Sequence, residues 1–197
     1  AMIDDGLFDK FPCDRVYAMH NGPGIAVGKF ASVPGIRTAA GAFFDIEVIG
    51  KGGHGAFPQF AIDPITIAAE IIGAIQTIIS RTTSPNDSAV LSITKVHAGD
   101  AYNVIPESAM LSGTVRTFTI EKMQEIEQQM VSISKGISKA HGGSALVEFN
   151  TLFLPVLNEE RATDVATGVC GDIVGHDNVI TTGSAGTGSE DFSFMSN

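Results

Sequence analysis

A chain of 197 residues, 44% hydrophobic and 17% charged, has the size and composition of one large globular domain or two small ones. Its 12 basic against 22 acidic residues give a formal charge of −10, which argues against nucleic-acid binding, since affinity for a phosphate backbone comes from clustered Lys and Arg displacing counterions. No apolar run reads as reaching the roughly 20 residues that a bilayer crossing needs, so a membrane partner is not expected either.

The first residues, 1–6, lack the basic and apolar regions of a secretory signal and read like the middle of a helix; residues 192–197 stop without a turn signal. Both ends read as cut. Cys13 and Cys170 form no C-x-x-C pair and read as free thiols of a reducing cytoplasm. Residues 15–19 predict a short strand running into the turn residues Asn21, Gly22, Pro23 and Gly24. In 43–49, Phe44, Ile46 and Val48 alternate with Asp45 and Glu47, the period of a strand with one buried face. A glycine-rich loop from Lys51 to Gly55 follows.

Asp63 and Pro64 then predict a helix start, Asp as acceptor for orphan N–H groups and Pro where no N–H is needed. Ile65, Ala68, Ala69, Ile72, Ile75 and Ile79 lie at helical spacing and predict its buried stripe. Residues 88–96 and 109–118 are strands by their Val, Ile, Leu and Thr content, with the loop 99–106 between them. A second helix is expected over 121–141, capped by Thr119 and ended by Gly142, with Met123, Ile126, Met130, Ile133 and Ile137 inward. Ala145, Val147 and Phe149 alternate in a last strand. The order β-α-β-β-α-β is the ferredoxin-like split arrangement. A helix over 161–175, a strand over 179–181 and a Gly- and Ser-rich loop over 182–193 lie outside that unit. The expected division is an inserted domain at 41–153, flanked by 1–40 and 154–197 as parts of a second domain.

Several polar residues stand where chemistry is possible. His20, at a predicted strand end, suits a metal ligand or a base, and equally a histidine bonded to backbone. His54 is surrounded by glycines that let backbone and imidazole approach a ligand closely, or that simply form an exposed loop. A phosphate-binding loop is excluded there, because the Lys-Ser/Thr and the helix it requires are missing. Gly183 and Gly188 have the right spacing for one, but Ser189 and Glu190 replace the cation, and Ser189 lacks the context of a nucleophile elbow. Arg116, in a predicted strand, either faces water or grips an anion such as a carboxylate, and Asn103 lies in the loop before it.

The phrases Tyr17-Ala18-Met19-His20-Asn21, Gly50-Lys51-Gly52-Gly53-His54-Gly55-Ala56-Phe57-Pro58, Ile62-Asp63-Pro64, His97-Ala98-Gly99-Asp100-Ala101-Tyr102-Asn103-Val104-Ile105-Pro106, Gly113-Thr114-Val115-Arg116-Thr117-Phe118 and Gly188-Ser189-Glu190-Asp191-Phe192 occur in one order. Together they resemble the M20 metallopeptidases, in the amidohydrolase branch of hippurate, N-acyl-amino-acid and auxin-conjugate hydrolases. The resemblance implies an α/β fold: a ferredoxin-like lid, also the dimerisation domain, inserted in a zinc-peptidase-like catalytic domain. It implies cleavage of N-acyl amino acids by water activated at a pair of divalent metals, zinc or manganese, with a glutamate base. His20 is then similar to a metal ligand. His54 is similar to the lid histidine that reaches a neighbouring subunit's site and stabilises the tetrahedral intermediate, and Asn103 and Arg116 to lid residues that bind the substrate carboxylate, again across the dimer. In this branch the other ligands come from a Cys-x-His motif and a Glu-Glu pair upstream of the equivalent of residue 1, and from a histidine near the C-terminus. The expectation is therefore an internal fragment, with a complete lid and part of a cytoplasmic catalytic domain, that holds the metals incompletely. The alternative class is a non-catalytic dimerisation or small-molecule-binding module, since a ferredoxin-like fold hosts many functions.

Overall fold

The computed structural model describes residues 2–196; Ala1 and Asn197, the extremes of the two ends that read as cut, lie outside the described residues. In chain order the elements are α1 (Leu7–Lys10), β1 (Phe30–Ala31), β2 (Gly35–Thr38), β3 (Ala40–Ile49), β4 (Gly53–His54), α2 (Pro64–Thr77), β5 (Ala89–Ala98), β6 (Val104–Ile105) and β7 (Ser108–Thr117). There follow α3 (Ile120–Ala140), β8 (Ser144–Phe153), β9 (Val156–Asn158), α4 (Glu160–Val174), β10 (Val179–Ile180) and α5 (Ser193–Ser196). The chain divides into two compact units, residues 40–152 and residues 1–39 with 153–197.

The 40–152 unit is a four-stranded sheet in the order β5-β7-β3-β8, joined through α2 and α3. β7 lies antiparallel to both neighbours, with Ala40 opposite Thr117 and Ile49 opposite Ser108 on one side, and Ala89 opposite Thr117 on the other. Alternation decides the faces: Phe44, Ile46 and Val48 of β3 and Leu111 and Val115 of β7 are buried with the helices, while Phe43 and Asp45 are exposed. The caps form as the residue types require. Asp63 Oδ1 accepts the Ile65 N–H at 2.9 Å, Thr119 Oγ1 accepts the Lys122 N–H at 3.2 Å, and Gly142 takes the left-handed φ of 81° just past α3.

In this unit three expectations are corrected. The buried stripe of α2 is Ile67, Ala68, Ile71 and Ile75, continued by Ile78 in the π-helical turn Ile78–Thr82, whereas Ile65 is 45% exposed. The helix is apolar on nearly every face, so periodicity alone could not set its rotation; contact with α3 and the sheet does. On α3 the inner face runs Met123, Ile126, Met130, Ser134 and Ser138, with Ile133 and Ile137 only partly buried. The third correction concerns length: at 19 residues, Pro64–Thr82 is apolar enough to cross a membrane by length and composition, yet in this fold it is a helix packed on the lid sheet through its isoleucines.

In the other unit the short strands pair two by two, β1 parallel to β10 and β2 antiparallel to β9. Residues 15–19, expected as a strand, have no regular structure; Tyr17 and Met19 are 51% and 81% exposed. A strand exists only where a neighbour takes up its backbone groups, and among the described residues none pairs with this segment. Of the residues that read as mid-helix at the start, 2–6 form turns leading into the single turn α1. α4 is capped by Glu159, whose two carboxylate oxygens accept the Arg161 and Ala162 N–H groups at 3.0 and 2.7 Å. These two bonds, that of Arg161 first, hold the Glu159 carboxyl below its ordinary range.

Candidate functional site

His54 is placed by an extension of the lid sheet. Beyond Ile49 and Ser108 the two strands stay together: the Gly50 N–H donates to the Glu107 carbonyl at 2.8 Å, and β4 pairs with β6, Gly53 opposite Ile105 and His54 opposite Val104. The Gly55 N–H then donates to the Asn103 carbonyl at 2.8 Å. A Cβ at Gly55 would come within 3.3 Å of that oxygen, so the glycine permits the close approach that puts His54 beside Asn103. Both residues are exposed at the tip of this ribbon.

The imidazole of His54 is oriented by its own loop. Its Nδ1 accepts the Ala56 N–H at 3.1 Å, and the ring rests against Phe57 at a centroid distance of 5.4 Å. With Nδ1 an acceptor, the proton of the neutral ring sits on Nε2, which has no hydrogen-bond partner among the described residues and is available as a donor. An available donor on a ring held by backbone is what a developing oxyanion requires.

Arg116 lies elsewhere. It stands on the open face of β7 opposite Gly41 of β3, with its guanidinium 5.8 Å from the Phe43 ring centroid. Nη1 donates to Thr114 Oγ1 at 2.7 Å and to the Val115 carbonyl at 3.1 Å, and Thr114 in turn donates to the Ala42 carbonyl. Among the described residues Nε and Nη2 have no hydrogen-bond partner, so the fork is fixed on one side and open on the other, as a carboxylate receptor needs. From Ser108 to Arg116 the strand runs roughly 27 Å at its ordinary rise, and the His54–Asn103 ribbon lies beyond Ser108. One lid therefore brings His54 and Asn103 together and places Arg116 at the opposite end of its sheet.

His20 belongs to the other unit and is 79% exposed at its side chain. Its Nδ1 lies 2.6 Å from the Asn21 carbonyl and so donates to it, which leaves Nε2 facing Glu190 Oε2 at 3.3 Å. A ring nitrogen whose partner nitrogen is tied to a carbonyl is the usual form of a metal-ligating imidazole. The donor set stops there. A catalytic divalent ion needs about three protein ligands, and among the described residues no group of three His, Cys, Asp or Glu could hold one. The residues described thus do not by themselves fit a metal pair.

The profile of the M20 peptidase dimerisation domain matches residues 37–142, more than half of the chain. The chain belongs to the M20 peptidase family. The hippurate hydrolase of Campylobacter jejuni is 38% identical over 195 residues, 99% of this chain and 51% of that protein. The N-acetyl-L-cysteine deacetylase of Bacillus subtilis is 38% identical over 162 residues, 82% of this chain and 38% of that one. Among solved structures, the Bacillus subtilis YXEP protein, described as a dinuclear metal-binding peptidase of the M20 family, superimposes with a TM-score of 0.77 at 28% identity, covering 98% of this chain and 47% of that one. The M20 chain described here spans about half the length of the curated relatives it matches. Its mixed α/β lid agrees with the fold class read from the sequence.

Sequence reasoning missed the pairing of His20 with Glu190 and the nearness of His54 to Asn103. The second could have been found: pairing 43–49 with 109–118 and running both strands on brings residue 54 opposite 103, one position from its observed partner Val104.

Proposed function

We propose that this chain is the lid-bearing part of an M20 amidohydrolase that cleaves the amide of N-acyl amino acids and works as a dimer through its lid. The names of the relatives, hippurate hydrolase and N-acetyl-L-cysteine deacetylase, support this substrate class. The observation that carries the reading is the available Nε2–H of His54, fixed by the Ala56 N–H and set beside Asn103. At this tip the imidazole donates to the oxygen of the scissile carbonyl as charge develops on it, and the Asn103 amide lines the same space. The open fork of Arg116 takes the carboxylate of the amino-acid part bidentately, which selects amino acids over uncharged amides. His20 is the family's metal ligand in this reading and Glu190 faces it, but the activated water of the M20 reaction needs donors beyond these two.

A substrate a few ångströms long cannot touch both ends of one sheet. His54 and Asn103 therefore come from one lid and Arg116 from the lid of the partner, and an isologous dimer supplies two such sites.

The test is a full-length chimera, the Campylobacter jejuni hippurate hydrolase with residues 40–152 of this chain in place of its own lid. His54→Ala lowers kcat by about 10²–10³-fold, as loss of one oxyanion donor does, with dimerisation and circular dichroism unchanged. An unchanged kcat in the folded, dimeric variant overturns the role of His54.

A further inference from the structure

We infer that Arg37 is a positioning residue for the His20–Glu190 pair, acting through the glycine-rich loop that leads to Glu190. The pairing of β2 with β9 is irregular between Ile36 and Thr38, so Arg37 stands at a break in the ladder, where a bulge re-aims the groups of the residue it displaces. Those groups all turn to one loop. Nη1 of Arg37 donates to the Gly183 carbonyl and Nη2 to the Ser184 carbonyl, both at 3.2 Å. The Arg37 carbonyl accepts the Gly186 N–H at 2.9 Å, and the Ala39 N–H donates to the Gly188 carbonyl at 2.8 Å.

The loop has little else to define it. Residues 182–188 include Gly183, Gly186 and Gly188; a Cβ at Gly183 or Gly188 would meet nothing within 4 Å, and one at Gly186 only the Arg37 carbonyl, at 3.9 Å. Glycines without side-chain neighbours retain their conformational freedom, so hydrogen bonds to 37–39 set the path of this loop. The last tether, at Gly188, is two residues before Glu190. There Oε1 accepts the Asp191 N–H at 3.0 Å and Oε2 faces His20 Nε2. A planar fork satisfies two successive carbonyls at once; the single ammonium of a lysine reaches one.

The inference rests on the reading of His20 as a site residue, and its test separates the two. The isotope-labelled chain is compared with Arg37→Ala and Arg37→Lys at one pH, by the nuclear Overhauser contact between the His20 ring and the Glu190 side chain and by amide exchange. In Arg37→Ala the contact disappears and exchange at Gly186 rises by about tenfold or more, as expected of a local opening, while exchange at Gly50 in the lid stays as in the parent. Arg37→Lys restores part of both. Should Arg37→Ala fail to fold, Arg37→Lys gives the same readings at smaller amplitude. A contact and a Gly186 rate that survive the substitution overturn the inference, and so does loss of protection at Gly50 in step with Gly186, since Arg37 would then only stabilise the whole. The other reading is addressed in a relative described as dinuclear metal-binding, the Bacillus subtilis YXEP protein: unchanged metal content after replacement of the histidine aligned with His20 by Ala removes His20 as a donor and leaves the Arg37 result standing.

Discussion

If His54 and Arg116 serve one substrate from two different lids, two inactive variants should repair each other. In the lid chimera, His54→Ala and Arg116→Ala are each expected to abolish most turnover. The two proteins are mixed in equal amounts and their subunits exchanged under mild denaturant. Random pairing makes about half of the dimers mixed, and in a mixed dimer one site receives both intact residues and the other receives neither, so activity returns to about a quarter of the parent value. The basis is the register. Arg116 pairs with Gly41 and His54 with Val104, on either side of the Ile49–Ser108 pair. The separation along the strand, roughly 27 Å even before the ribbon is counted, is about twice the reach of a guanidinium and an imidazole together. Were both residues to act within one subunit, no combination of these variants would contain an intact site. Hydrolysis of a hippurate-like substrate, measured before and after exchange with dimer content checked by native mass spectrometry, decides between the two. A mixture that contains mixed dimers and remains inactive, while the unmutated chimera is active, refutes the argument from strand length.

Two further outcomes follow from the packing and the caps. At Gly113, in the middle of β7, a Cβ would sit 2.1 Å from the Ser92 carbonyl oxygen and 2.4 Å from Phe44 Cζ. Gly113→Ala therefore has to push the edge strand or the Phe44 ring aside, and its stability in urea should fall by about 1–3 kcal/mol, the range of overpacked cores. Phe44→Leu in the same chain relieves only the ring contact, leaves the carbonyl contact in place and restores part of the loss; a neutral Gly113→Ala contradicts the fit of β5 on β7. For Glu159, the depressed carboxyl gives a contribution that is complete above its ordinary value of 4.5 and is lost as the pH falls through the lower value it has in the fold. Glu159→Gln should thus melt below the parent near neutrality, and the gap should close in acid. A gap that persists there, or that widens, assigns the difference to something other than the ionised cap.

Much of the lid was legible because its elements obey one period each. Phe44, Ile46 and Val48 could be buried together only in a strand, and Thr119 and Gly142 bracketed α3 to within a residue of its observed ends. α2 was legible as a helix but not in its rotation. A helix with isoleucine at Ile65, Ile67, Ile71, Ile72, Ile75, Ile78 and Ile79 offers several equivalent faces to the core, and the choice falls to shape, which no single-chain pattern encodes. On α3 the same limit appears as two buried hydroxyls, Ser134 and Ser138, chosen over Ile133 and Ile137 for the inner face. Two-residue strands escape the alternation test altogether. β4 and β6 were read as loop because Gly53 and His54 carry no strand signal of their own; their conformation is inherited from β3 and β7, which they prolong.

The candidate site shows the converse problem. Asn103 and Arg116 are near one another in sequence and belong to adjacent motifs, so a linear reading assigns them one carboxylate. His54 and Asn103 are far apart in sequence and read as separate features. Within one lid, strand geometry sets the distances differently: a residue carried along β7 moves away from Asn103 by more than three ångströms per step, whereas paired strands keep distant residues such as His54 and Val104 face to face. A motif list preserves order but not direction, and direction decides which groups can meet. The same reasoning applies to His20. Its strand-end context was a property of the predicted strand, and that strand does not form; what gives His20 a partner is Glu190, brought across by a loop whose course is fixed by backbone bonds to residues 37–39. In both units the candidate residues sit near places where two separated segments are tied by main-chain hydrogen bonds, at Gly55 to Asn103 and at Gly186 to Arg37. A substitution that loosens either tie should therefore disturb the site more than one that alters an exposed neighbour of the same side chains.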